Sequence, residues 1–258
     1  MHTVSYNYDY TGIRIQSKYD RNQFAEFEFL LQPIFDSVSQ ELMAYEMLSK
    51  VMSQCGDILE NEDFFNNVDD NIIKKIVLSQ IHCINHRNNI RNIVISLNLT
   101  LTSLLDTDFV LAINSLSSTK LAIEIDNSSC FKYNDKLKVN IDILRNAGHE
   151  IWLDDYYDQL SGSDKMLRFI VWDVVKIDKS FLYNNELTRH DVASMILKLD
   201  PYTKRGVIFE GVETELQRQQ LVFRNVSLQG YLLSYPLSWT SVDAQNIVDR
   251  GNVCYLNI

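Results

Sequence analysis

The chain sets 34 Asp and Glu against 24 Lys and Arg over 258 residues, a net charge of −10, with 46% apolar residues and only 8 Gly and 3 Pro. That composition belongs to a folded globular chain and excludes disordered, collagen-like and low-complexity classes. The acidic balance excludes binding of long nucleic acid, whose affinity rests on Lys and Arg neutralising phosphates. A single small nucleotide stays open, provided cations reach the carboxylates.

The first 25 residues are polar with scattered Tyr and are expected to precede the core. Short apolar runs then recur, each with a polar or acidic residue near its C-terminal end. They are FEFLLQPIF (27–35), LMAYE (42–46), NIVISLN (92–98), KLAIEID (120–126), EIWLDD (150–155), DVVKID (173–178), GVIFE (206–210) and SLQGYLL (227–233). Their Ile, Val, Leu and aromatic content predicts eight buried strands. Helix-length segments lie between most of them. Ile72, Ile73, Ile76, Val77, Ile81 and Ile84 give helical spacing over 71–86, a second amphipathic helix over 136–147 stops at Gly148, and a third covers 214–223. Alternating strands and helices predict an α/β fold, a mostly parallel sheet closed into a TIM-like (β/α)8 barrel. In such a barrel the loops at the strand C-termini converge on one mouth, where function sits.

A chain this long buries about three quarters of its unfolded surface and needs no covalent staple. Cys55, Cys83, Cys130 and Cys254 are far apart and form no Cys-x-x-Cys pair, which reads as idle thiols in a reducing compartment. The opening residues lack the basic-then-apolar order of a signal peptide. Apolar runs stop short of the roughly 20 residues of a membrane span. A cytoplasmic protein is expected.

The strand ends present Glu46, Asn98, Glu124, Asp154, Asp155, Lys176, Asp178, Glu210 and Gln229. One acid at a strand end is ordinarily a solvated charge or a helix cap. A converging set of bare carboxylates would repel and suffer desolvation, so protons or cations must balance them. Mg²⁺ and Mn²⁺ take oxygen ligands of this kind, and the adjacent Asp154 and Asp155 suit two ions about 3.5–4 Å apart. The pattern points to metal-assisted chemistry on a phosphate ester.

Motifs in chain order carry a family resemblance. Gln32-Pro33-Ile34 resembles the first-strand motif of the EAL domain, the bacterial cyclic-di-GMP phosphodiesterase family, and Tyr45-Glu46-Met47-Leu48 stands where Glu-Ala-Leu names it. Asn98-Leu99-Thr100, Glu124-Ile125-Asp126 and Asp154-Asp155-Tyr156 resemble its next three steps. Lys176-Ile177-Asp178-Lys179-Ser180-Phe181, Glu210-Gly211-Val212-Glu213-Thr214 and Gln229-Gly230-Tyr231, with Pro236 behind, complete the series. The resemblance covers roughly residues 26 to 240 and divides the chain into an N-terminal extension, 1–25, and an EAL phosphodiesterase domain, 26–258.

The resemblance implies a barrel whose first strand is antiparallel to the rest. It also implies hydrolysis of cyclic-di-GMP to linear pGpG with two Mg²⁺ or Mn²⁺, in signalling that governs biofilm and motility. Carried over, Glu46, Asn98, Glu124 and Asp154 would bind one ion, and Asp154 and Asp155 would reach the second. Lys176 would hold the attacking water and phosphate oxygens, and Glu210 and Glu213 would support the metal and Lys176. Gln32, Lys50, Asp178, Gln229 and Pro236 would line or support the substrate. The departures lie elsewhere. The Gly-rich loop after the paired aspartates reads Tyr156-Tyr157-Asp158-Gln159-Leu160-Ser161-Gly162-Ser163, and its anchoring Glu is Asn127. Lys50 stands for an Arg and loses the bidentate fork. These changes bear on Asp155, dimer coupling and turnover. They leave a second reading: an inactive EAL protein that acts by binding cyclic-di-GMP or by protein contacts on a transcription or motility regulator. A homodimer and a protein partner are compatible with either.

Other features carry no chemistry. His82 and His86 are spaced i, i+4 but lack a third ligand. Trp152 and Trp172 read as barrel packing, while Phe209 and Tyr235 lie nearer the mouth. The Asn98-Leu99-Thr100 triplet is set aside as a glycosylation acceptor because it ends a buried strand.

Overall fold

The apolar runs become strands because each places Ile, Val, Leu or an aromatic on both faces, one face toward the barrel axis and one toward helices. The computed structural model describes residues 2–7, 9–17, 19, 24–87, 90, 92–126, 134–156, 163–183 and 187–242. Its strands are β1 His2–Tyr6, β2 Gly12–Ser17, β3 Phe24–Asp36, β4 Leu42–Ser53, β5 Val94–Leu99, β6 Leu121–Asp126, β7 Glu150–Tyr156, β8 Val174–Ile177, β9 Val207–Phe209, β10 Val226–Leu228 and β11 Leu237–Ser238. Its α-helices are α1 Asn61–Asn67, α2 Asp70–Asn85, α3 Leu101–Leu104, α4 Thr107–Leu116, α5 Asp135–Asn146, α6 Ser163–Leu167, α7 Arg189–Leu199 and α8 Glu215–Gln220. No helix among the described residues is long and apolar enough to cross a membrane.

Strands β3 to β10 close into an eight-stranded barrel. Neighbours from β4 to β10 pair in parallel, and β3 closes the ring by pairing antiparallel with both β4 and β10. The predicted closed barrel with an antiparallel first strand is therefore found. The opening segment differs from expectation. β1 and β2 form a hairpin, β2 pairs with β3 from Gly12↔Glu28 to Gln16↔Phe24, and Ile13 and Ile15 are buried in the core. Tyr6 and Tyr10 lie on α2, with Tyr10 stacked on His86 at 4.0 Å and Tyr6 at 4.5 Å from the His82 ring. The two histidines thus anchor a hairpin.

The barrel interior is layered with a period of two. Ile34, Ala44, Ala122, Trp152, Val174 and Ile208 form one buried cluster. Alternation puts the residue two steps on in each strand on the same inner face, one layer higher. Those residues are Gln32 on the reversed β3, then Glu46, Glu124, Asp154, Lys176 and Glu210. The intervening Ile123, Ile151, Leu153, Val175, Val207 and Phe209 point outward into the helix-packed core. Trp152 and Trp172 are fully buried, as predicted, while Phe209 is buried beside Phe181 rather than at the mouth.

Helix boundaries follow local chemistry. Asp69 caps α2 by accepting from the Asn71 N–H, and Asn134 caps α5 through Lys136. Gly148, at φ +93°, ends the α5 turn as predicted. The third predicted helix shortens to α8, which Thr214 and Gln217 open with a capping box.

Candidate active site

Lys176 stands at the centre of the polar layer. Its side chain is 1% exposed, and Nζ lies 2.8 Å from Glu210 Oε1, 2.9 Å from Glu124 Oε2, 3.0 Å from Asp154 Oδ1 and 3.2 Å from Glu46 Oε2. Glu46 is held twice more. Gln229 Nε2 donates to its Oε2 at 2.7 Å and Asn98 Nδ2 to its Oε1 at 2.8 Å. Gln229 Nε2 also reaches Gln32 Oε1 at 3.2 Å, and Gln32 Nε2 donates to the Ser234 carbonyl at 3.4 Å.

The neighbouring aspartates owe their common direction to a bulge. Successive residues of a regular strand face opposite ways. Between Leu153 and Tyr156 the β7–β8 register slips: Leu153 pairs with Val175 and Tyr156 with Ile177, so three steps on β7 match two on β8. Asp155 absorbs the extra residue at φ +51°. Carboxylate oxygens of Asp154, Asp155 and Glu210 consequently lie within 4.8 Å of one another. Tyr156, read from sequence as part of the divergent loop, is instead the buried last residue of β7, with Lys198 over its ring at 5.6 Å. Residues 157–162 of that loop, Tyr157 among them, and Asn127 at its anchor position lie outside the described residues.

Glycine sets the seam between the last two strands. A Cβ on Gly230 would meet Val212 N and O at 2.2 Å, so only glycine permits this approach. It lets Val212 N–H donate to the Gln229 carbonyl at 3.1 Å and fixes the ends that carry Glu210 and Gln229.

The charges do not balance within the site. Four carboxylates face one ammonium, and the buried Glu124 Oε1 and Gln229 Oε1 accept no hydrogen bond. Burial, then the nearby Glu46 and Asp154 charges, pushes Glu124 well above the usual carboxylate range despite Lys176. Burial likewise drives Glu210 well up, with Asp154 adding to it against the pull of Lys176. Burial and then Asp154 bring Asp155 up to about 7. Glu46 moves the other way. Burial would raise it, but Lys176, Gln229 and Asn98 hold it below its ordinary value. Burial opposes the charge on Lys176, yet Asp154, Glu124, Glu210 and Glu46 together raise it well above an ordinary lysine. A surplus of hard oxygen donors with unmet lone pairs fits a divalent cation such as Mg²⁺ or Mn²⁺, and Asp154, Asp155 and Glu210 are the closest triad for one.

Two clefts meet at Asp155. One, of 790 Å³, runs from Asn98, Asp126 and Asp154 to the apolar Phe65, Ile76 and Val77. The other, of 490 Å³, is bounded by Gln32, Glu46, Asp178, Glu210 and Tyr231. Asp178 accepts from the Ser180 N–H at 3.0 Å and so shapes the turn after β8. Other assigned residues stand apart from Lys176. Glu213 is exposed on the rim of the second cleft, not against Lys176. Lys50 pairs with Glu28 at 3.6 Å, about 13 Å along β4 from Glu46. Pro236 is half-buried just before β11. Thr100 caps α3 and donates to Asp70 at 2.7 Å. Asp126 received no role from sequence, yet it faces the cluster, and burial followed by Asp154 raises its carboxyl. The signal was its position two residues after Glu124.

The EAL domain profile matches residues 16–236. Among curated proteins, the chain is 25% identical over 238 residues to the one named "Probable cyclic di-GMP phosphodiesterase PdeI" of Escherichia coli K12, covering 86% of this chain and 30% of that protein. The chain spans under a third of the length of the curated relatives it matches. Among solved structures, an EAL domain protein from Listeria monocytogenes superposes with a TM-score of 0.69 at 20% identity, covering 87% of this chain and 93% of that one. The FimX EAL domain from Pseudomonas aeruginosa, bound to c-di-GMP, gives 0.68 at 18% identity, covering 82% and 90%.

Proposed function

The chain belongs to the EAL domain family, and from that premise we propose that it hydrolyses one phosphodiester of cyclic-di-GMP to linear pGpG with Mg²⁺ or Mn²⁺. The observation that carries this reading is the buried Lys176 ammonium among Glu46, Glu124, Asp154 and Glu210, beside the Asp154, Asp155 and Glu210 triad. Asp154, Asp155 and Glu210 would hold a cation, with Glu46, Asn98 and Glu124 as the further donors. Bound divalent ions supply a lowered pKa for water and offset developing phosphoryl charge.

The protein's own groups do the rest. Lys176 keeps its proton because four carboxylates hold it, so it would steady a phosphate oxygen as negative charge grows. Gln229 and Asn98 fix both oxygens of Glu46, which keeps that carboxylate ionised and oriented. Gln32 links this arrangement to the loop at Ser234. The apolar layer beneath, with Trp152 at its centre, closes the site from below to water. Residues 26–258 would form the catalytic unit, with the β1–β2 hairpin docked on it through the pairing of β2 with β3.

Incubation of purified protein with cyclic-di-GMP and Mn²⁺, followed by chromatography, tests the proposal, and pGpG is the expected product. Absence of product at high protein concentration overturns it. Nucleotide binding without product would select the inactive, binding reading instead.

A further inference from the structure

Tyr231, which lines the 490 Å³ cleft, stacks on Tyr235. Their ring centroids are 4.5 Å apart at 26° between planes, and the residues are 52% and 59% exposed. Two large aromatic side chains this open to water, stacked on each other beside a polar cleft, present a π-face to whatever enters it. Their position is not accidental. Tyr231 lines the same cleft as Glu46, Asp155 and Glu210.

The segment that bears the pair is fixed at several points. Gly230 presses on the Val212 backbone, and the Leu232 N–H donates to the Val212 carbonyl at 3.0 Å. The Leu233 and Ser234 N–H groups both donate to the Gly230 carbonyl, at 3.0 and 3.1 Å. The Ser234 carbonyl accepts from Gln32, and β11 clips the far end onto β3. The platform is therefore held by the polar layer itself, and ordering it costs little when a ligand arrives.

We propose that the Tyr231–Tyr235 pair is a stacking platform for a guanine base of the cyclic dinucleotide whose phosphodiester is cut at Lys176. This inference rests on the cyclic-di-GMP reading above and adds a binding residue, Tyr235, to it. A neutral aromatic face suits a purine because every base presents a π-face, and such stacking tolerates the base's uncharged state. Tyr231 brings the platform to the cleft, and Tyr235, stacked on its ring, extends the aromatic surface.

The test measures KM and kcat for cyclic-di-GMP with Mn²⁺, and the dissociation constant with Ca²⁺ by titration calorimetry, in four variants. Tyr235→Ala and Tyr231→Ala are expected to raise KM and the dissociation constant by about tenfold, with kcat within about twofold of the parent. Tyr235→Phe should keep parental values, whereas Tyr235→Leu, which retains apolar bulk without a π-face, should behave like Tyr235→Ala. Unchanged KM in both alanine variants overturns the platform, as does parental behaviour of Tyr235→Leu. A fall in kcat together with melting temperature also overturns it, because the pair would then be holding the loop together. The two readings fail separately. A parent protein that binds cyclic-di-GMP in a Tyr235-dependent way without cleaving it keeps the platform and removes the hydrolase. Cleavage with KM blind to Tyr235 does the reverse. A parent that neither binds nor cleaves removes both.

Discussion

Lys176 Nζ and Glu124 Oε2 lie 2.9 Å apart with their side chains 1% and 0% exposed, a fully buried pair at the centre of the barrel. Removing one partner of such a pair leaves an uncompensated charge, at about 3–5 kcal/mol. Lys176→Met should therefore lower the melting temperature and abolish turnover, and added Mn²⁺ should restore part of the stability but none of the activity. Thermal scans with and without Mn²⁺ check this. A variant as stable as the parent would contradict the burial of the ammonium.

Asp155 combines a carboxylate with a left-handed backbone, so its two contributions separate by substitution. Asn adopts φ > 0 readily, whereas Ala in that conformation costs roughly 1–2 kcal/mol. Asp155→Asn should keep the parental melting temperature and lose activity. Asp155→Ala should lose activity and stability together. Equal stability in the two variants would mean that the bulge relaxes without cost.

The surplus of carboxylates predicts a stability response to cations. Mg²⁺ or Mn²⁺ at about 100 times its dissociation constant should add about 2.7 kcal/mol by mass action. The melting temperature should rise with the logarithm of free ion, and the response should weaken in Asp154→Asn, which removes a charge from the closest triad. A flat response to both ions would count against a cation at this triad.

How much of this was legible follows from what period-two patterning can carry. It delivered the barrel and the inner polar layer, because Glu46, Glu124, Asp154 and Lys176 each end an apolar run on the face that alternation assigns them. It missed the β1–β2 hairpin, whose strands bury only one side and whose Arg14, paired with Glu26, reads as loop polarity. It ended β4 at Glu46, because the continuation through Lys50 runs beyond the barrel, in a sheet extension with β3 and β2 where Lys50 and Glu28 meet water. The bulge at Asp155 was invisible, since a register shift is a property of two strands and one string of letters shows only one of them. Glu213 was assigned by motif, and no pattern in the chain says that it stands exposed at the cleft.

The hairpin that sequence missed should respond to pH. Burial, then the like charge of His86, holds His82 below its ordinary value of 6.5. Tyr6 and Tyr10 pack against the pair, and the Asp9 carbonyl accepts from Arg87 at its edge. A released hairpin lets His82 take up a proton at a higher pH than the docked one does. Docking is thus fully stable above the free-chain value and weakens as pH falls through about 6.5 toward the docked value. Amide protection factors in β1 should be lower at pH 5.5 than at 7.5, and His82→Phe should remove the difference. A pH-independent β1 would refute the coupling.

Gln229 reaches Glu46 and Gln32 across 183 and 197 residues of chain. The contacts that orient Glu46 thus belong to the longest-range set in the molecule, the kind that forms late because loop closure must precede it. Before that closure, helices and most strands can already exist while the pocket has no Gln229 to steady it. Catalytic competence then marks completion of the ring, and a local opening between β3 and β10 would silence the protein while nearly all of its secondary structure persisted.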